Sequence, residues 1–248
     1  VAAVRFTAAP VTGACTLAYG GAMLPYAMVL HDGQGQVVST EWIAAGGASL
    51  PFSAHETRAS AGETVVRYLR LGFTHIVPLG LDHVLFVLGI FLSSARWRPV
   101  LAQVTAFTIA HSITLALAMT GVVQAPPSFV EPLIAASIVY VAVENLLTDR
   151  LRVWRLAVVF AFGLLHGLGF AGVLTSLGLP AGQLAWALAG FNVGVEFGQL
   201  AVIVAAAALL LLLRLVIKSP RERIAVPASC AIAIVGAYWT IERLGLLG

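Results

Sequence analysis

The chain has 248 residues, 60% of them hydrophobic and 10% charged, with a net charge of +3 and a mean hydropathy of +0.96. Soluble domains carry about 45–50% apolar and about 25% charged residues, so a soluble globular class is excluded. The basic excess sits in loops between apolar runs rather than on a face or stripe, which excludes a nucleic-acid patch as its cause.

Residues 1–66 read as an extracytoplasmic N-terminal segment, too short to build a large core alone. Within it "YAMVLHDGQGQVVSTEW" has β-prone arms around "HDGQGQ" and reads as a hairpin. "SAHETRASAGET" is polar and loop-like, and His31 and His55 read as surface histidines. The chain starts at Val1 without a basic and then apolar leader, so an export signal is expected to have been removed. Cys15 lies outside on this reading and Cys230 near the cytoplasmic end of the last helix, so no disulfide is expected.

Apolar runs follow at about 71–92, 100–120, 128–147, 156–177, 184–213 and 224–244. Each is long enough to cross a hydrocarbon core of about 30 Å as a helix. The expected fold is therefore an all-α polytopic membrane protein. Six transmembrane helices occupy residues 67–248, behind a short N-terminal segment containing some β. The loops "SSARWRP", "TDRLRVWR" and "RLVIKSPRER" are basic, whereas "GVVQAPPS" and "SLGLPAGQ" have no basic residue. The positive-inside rule puts the first set in the cytoplasm and both termini outside.

Polar residues inside such helices are costly and mark functional sites by default. The first run carries Asp82 and His83 near its centre, the second His111, the fourth His166, and the fifth Asn192 and Glu196. Four helices thus place His, Asp, Glu or Asn at one depth. The bland alternatives are helix–helix hydrogen bonds: Ser112 beside His111 is a candidate for such glue. Asn192, Glu196 and Gln199 form one stripe on the fifth run, and Ser137, Tyr140 and Glu144 another on the third. Glu144 lies nearer the cytoplasmic end, as an exit or gating group would. Glu131 suits a helix start, and Glu242 and Arg243 read as ordinary membrane-boundary residues.

His75 and Asp82 are seven positions apart, about 10 Å along a regular helix, whereas metal–ligand bonds to N or O are about 2 Å. Pro78 and Gly80 lie between them, and proline frees the carbonyl of Thr74, so a break is expected. The break either brings the groups together or separates two stations. The spacing favours His75 as an outer station and Asp82 with His83 as a midplane one.

Imidazoles with carboxylates and an amide suit divalent Ni, Co, Zn or Fe, and the scarcity of Met and Cys counts against Cu(I). A permease and an intramembrane metal hydrolase could both use such ligands. No HExxH, nucleophile elbow or Walker loop occurs. A permease needs polar groups on both sides of the midplane, a hydrolase one tight site open to lipid. A receptor or assembly factor using the cluster as structural glue is a third class. The first three helices run opposite to the last three, and both "LGFTHIVPLGLDH" and "FGLLHGLGFAG" open on Gly with a His, which allows an inverted repeat.

"HIVPLGLDH", "FTIAHSITLALA", "SIVYVAVENL", "FGLLHGLGFAG" and "GFNVGVEFGQL", in this order across about residues 70–245, together resemble the HupE/UreJ family of bacterial membrane proteins. The resemblance implies a nickel or cobalt permease of the inner membrane. In many members such a permease supplies hydrogenase, urease or cobalamin pathways. It also implies that His75, Asp82 and His83 form the family's first-helix signature. The chain departs in having one more residue between His75 and Asp82 than better-studied members. It also has Phe170 where their later motif carries a second histidine, and looks closer to the branch with an exported N-terminal region. The full expected ligand set is His75, Asp82, His83, His111, His166 and Glu196, with Glu144, Asn192, Gln199, Tyr140 and Ser112 along the pathway. No prosthetic group and no enzymatic activity are expected; a copper or zinc transporter of the same fold, or the hydrolase, is the alternative. The expected partners are the bilayer and the transported ion, not nucleic acid, and self-association into a homo-oligomer is compatible with all of these readings.

Overall fold

The computed structural model describes residues 14–15, 26–31, 37–43, 52–53, 60–94, 96–148, 154–176, 183–215 and 221–246. In the N-terminal part β1 (Ala14–Cys15) pairs antiparallel with β4 (Phe52–Ser53). β2 (Tyr26–His31) pairs antiparallel with β3 (Val37–Ile43), setting Tyr26 opposite Ile43 and His31 opposite Val37. Seven α-helices follow in the described residues: α1 (Ala61–Ile76), α2 (Leu81–Leu92), α3 (Trp97–Met119), α4 (Pro127–Leu147), α5 (Trp154–Ser176), α6 (Leu184–Arg214) and α7 (Val226–Arg243), the last entered through a π-helical turn at Arg221–Ala225.

α1 starts inside the stretch expected to be a loop, and ahead of the boundary expected at residue 66. Ser60 caps it: the Glu63 amide donates to Ser60 Oγ at 3.2 Å and the Ser60 amide to Glu63 Oε2 at 2.7 Å. This reciprocal box satisfies donors that a helix start otherwise leaves unpaired. "SAHETRASAGET" reads as loop because it is polar, but its "SAGE" is a helix cap.

Among the described residues four helices are long and apolar enough to cross a membrane, α3, α4, α6 and the stretch Glu222–Arg243, while Trp154–Phe170 of α5 is apolar but shorter. α1 and α2 pass that test only together, as one path bent by 71°. The first expected span is thus two helices. Pro78 has no amide to donate, and the Thr74 carbonyl it leaves free accepts instead from the Leu79 amide at 3.3 Å. The chain then folds back so closely that a Cβ on Gly80 would overlap the His75 carbonyl. Only glycine fits there.

The most extensive helix pairs are α1 with α6, α3 with α5, and α4 with α7. Gly190, Gly194 and Gly198 on α6 let the α1 backbone lie directly on it, at Val65, Leu69 and Phe73. Gly163 and Gly167 on α5 do the same for α3 at Phe107 and His111. Small residues at such contacts are how apolar helices gain packing energy where lipid offers no hydrophobic drive. Exchanging α1–α2 with α5, α3 with α6, and α4 with α7 maps these pairs onto one another, as a two-fold internal repeat would. Two apolar clusters fill the interior, one around Tyr68, Ile76, Leu115 and Phe191, the other around Phe86, Val104, Phe107 and Ile138.

Candidate metal centre

Histidines from α1, α2 and α3 meet where these helices cross. His75 sits in the last turn of α1 and His83 in the first turn of α2, so the 71° bend turns them toward each other. Their ring centroids are 4.7 Å apart. His111, in the middle of α3, lies 5.8 Å from His83 and 6.2 Å from His75 by the same measure. One ring nitrogen from each of the three falls within 4.8 Å of the other two. His166 on α5 approaches from the side, 4.9 Å from His83.

The cluster is dry. His111 is 0%, His166 1% and His83 6% exposed. Among the described residues His75 Nε2, His83 Nε2, both His111 nitrogens and His166 Nδ1 are buried without a hydrogen-bond partner. A buried polar atom left unpaired costs roughly 1–3 kcal/mol, and each neutral imidazole has one bare nitrogen to offer a ligand. Converging nitrogens from His75, His83 and His111 are a donor set that suits a divalent transition metal.

Phenylalanines wall the cluster. Phe170, one helical turn beyond His166, has its ring 3.8 Å from that of His75 and stacks at 5.1 Å on Phe191. On the opposite side Phe86 and Phe107 lie 5.2 and 4.9 Å from His166, and Phe162 packs on Phe86. By helix direction these two sets lie on opposite sides of the histidine layer, and an apolar shell of this kind strengthens charge–ligand interaction by excluding water.

The other expected site residues have different partners. The expectation of two stations in series fails: the bend removes the axial separation, and His75 shares one centre with His83. Asp82 points away from this centre into an ion pair, with Arg243 Nη2 3.0 Å from both carboxylate oxygens. Arg243 also donates to the Glu131 carbonyl at 3.2 Å and lies over the Trp239 ring. Arg243 therefore does need a special account, because it occupies the carboxylate expected to bind metal. Glu196 is outside the histidine group and accepts from Thr105 Oγ1 at 2.8 Å. Gln199 accepts from Thr108 Oγ1 at 2.8 Å, and Ser112 donates to the Thr108 carbonyl at 2.6 Å. Asn192 comes beside His111 without meeting hydrogen-bond geometry, and its buried Oδ1 has no partner. Tyr140 is exposed on α4, its ring against Phe162 and Trp154.

Glu144 is held in a buried network. Arg155 donates from Nη1 to Glu144 Oε2 at 2.6 Å, from Nε to Gln103 Oε1 at 2.9 Å and from Nη2 to Asn145 Oδ1 at 3.2 Å. Asn145 in turn donates to the Gly89 carbonyl at 2.8 Å. Four helices, α2 to α5, are tied together here. By its place in "TDRLRVWR" Arg155 reads as a loop cation. The available signal was the short link between α4 and α5, which sets the end of one beside the start of the other and Glu144 within reach of Arg155.

The HupE/UreJ protein family matches residues 53–243, all seven helices and most of the chain. The chain belongs to the HupE/UreJ family. No curated protein and no solved structure matches it. The five motifs quoted from the sequence all fall inside the matched HupE/UreJ region, as do the four clustered histidines.

Proposed function

We propose that this HupE/UreJ protein is a secondary permease that passes a divalent transition-metal ion, nickel or cobalt, through the histidine centre. The observation that carries this reading is the convergence of His75, His83 and His111, with one ring nitrogen of each within 4.8 Å of the others, and with His75 Nε2, His83 Nε2 and both His111 nitrogens buried without a hydrogen-bond partner among the described residues. Buried ionisable groups inside apolar helices mark ion paths, and imidazole suits first-row divalent ions. Polar groups flank the centre along the helices, Asp82 with Arg243 toward one end and Glu144 with Arg155 toward the other. That favours a path over the single lipid-facing pocket of a hydrolase.

In this reading α1–α2, α3, α4, α5, α6 and α7 with its π-helical turn make six passes of a bacterial inner membrane. Both termini and the N-terminal segment lie outside, as the basic loops require. His75, His83 and His111 hold the ion, with His166 beside them. Asn192 offers its bare Oδ1, and Asp82 and Glu196 serve the approach rather than the centre.

The test is uptake of Ni, Co, Zn and Cu by purified protein in proteoliposomes. The reading predicts uptake of Ni or Co that His83→Ala and His111→Ala abolish without unfolding the protein. Wild-type uptake in folded His83→Ala would overturn it.

A further inference from the structure

His166 carries a proton assignment that its hydrogen bonds decide. Ser137 Oγ is 2.6 Å from the Ile134 carbonyl, to which it donates, and 3.1 Å from His166 Nε2. A hydroxyl has one hydrogen. At 2.6 Å two oxygens without a proton between them would repel, so the Ser137 hydrogen is spent on Ile134. Ser137 Oγ must then accept, and His166 Nε2 must carry the ring proton. His166 Nδ1 is left as a bare lone pair. It is buried and without a partner, in a ring whose neighbours are Phe86, Phe107 and His83.

We propose that Ser137 is a positioning residue: it fixes His166 in the Nε2–H tautomer and thereby supplies Nδ1 as a fourth imidazole donor to the ion held by His75, His83 and His111. This rests on the permease reading for the ion, but the tautomer itself does not. Metal-bound histidines characteristically donate their other ring N–H to a fixed acceptor, which orients the ring and raises its basicity. Ser137 is that acceptor here, anchored by its own bond to the α4 backbone. His166 lies beside the three-histidine group rather than in it, its ring 4.9 Å from that of His83, so a fourth bond requires the ring to close on the ion. Gly163 and Gly167, which set the α5 backbone close against α3, keep that distance short.

The experiment has two arms. In metal-free protein in detergent micelles, nitrogen-15 shifts of labelled histidine should show His166 with a protonated Nε2 and a bare Nδ1. The assignment comes from the signals lost in His166→Ala, and the single-tautomer signature should be absent in Ser137→Ala and kept in Ser137→Thr. In the second arm Co2+ alone is titrated, with affinity and visible absorption as readouts. Ser137→Ala should weaken Co2+ binding by about 10–100-fold and change the ligand-field bands, Ser137→Thr should retain both, and Ser137→Ala in a His166→Ala background should add no further loss. Wild-type affinity in Ser137→Ala, or additive losses in the double variant, would overturn the positioning role, and wild-type affinity in His166→Ala would overturn the fourth ligand. A wild-type protein that binds no Co2+ would overturn the permease reading and the ligand role together, while the nitrogen shifts would still decide whether Ser137 sets the tautomer.

Discussion

His75 and His83 are eight positions apart in the chain, yet their rings lie 4.7 Å from each other. On an unbroken helix that separation would be about 12 Å of axial rise. The break at Val77–Gly80 is what makes a joint site of two helix ends, beside which His111 of α3 and His166 of α5 lie.

Gly80→Ala tests the dependence of the centre on this turn. The added Cβ overlaps the His75 carbonyl, so the α1 end must move and take His75 with it. Co2+ or Ni2+ affinity should fall by at least about tenfold, or 1.4 kcal/mol, with helix content by circular dichroism unchanged. Titration of the purified variant measures this.

Asp82 and Arg243 should behave as a pair. Their side chains are 28% and 22% exposed, so the pair is worth only about 0.2–1 kcal/mol of stability. Asp82→Asn and Arg243→Gln should therefore leave metal affinity at the centre near wild type. Any effect on uptake should be shared rather than additive. The charge-swapped double variant, Asp82→Arg with Arg243→Asp, should recover uptake lost in either single swap. Loss of equilibrium metal binding in Asp82→Asn alone would return Asp82 to the ligand set.

Glu144 and Arg155 are a different case, because the pair is buried, with 10% and 4% side-chain exposure. Removing one partner leaves a charge in an apolar interior. Arg155→Met should destabilise by about 3–5 kcal/mol, and the double change Glu144→Gln with Arg155→Met should recover part of that. Thermal unfolding in detergent is the measurement.

The α1–α6 seam should fail by bulk. A Cβ on Gly194 would overlap the Leu69 carbonyl, backbone that cannot yield as a flexible side chain could. Gly194→Leu should lower the folded yield severely, whereas Gly62→Ala, with open space around it, should not.

The sequence makes the helices and the depth of the histidines legible, because apolar runs and helix rise are local properties. It shows Pro78 and Gly80 as a break but not the angle, which depends on how α1 seats on the glycines of α6. Without the angle, His75 and His83 read as two stations. The partners of the carboxylates are illegible for a related reason. Asp82 reads as a ligand and Glu144 as an exit group because their cationic partners, Arg243 and Arg155, stand at helix ends where the sequence assigns a basic residue to topology. Ser137 was visible only as one residue of a polar stripe. Its role depends on two oxygen and nitrogen distances that no spacing rule contains.

The central claim is that one ion sits among His75, His83 and His111. An anomalous difference map from crystals soaked with Co2+ or Ni2+ tests it most directly. The account predicts a single strong peak within bonding distance of nitrogens from those three residues. A peak on Asp82 or Glu196 instead, or separate peaks at His75 and His83, would contradict it.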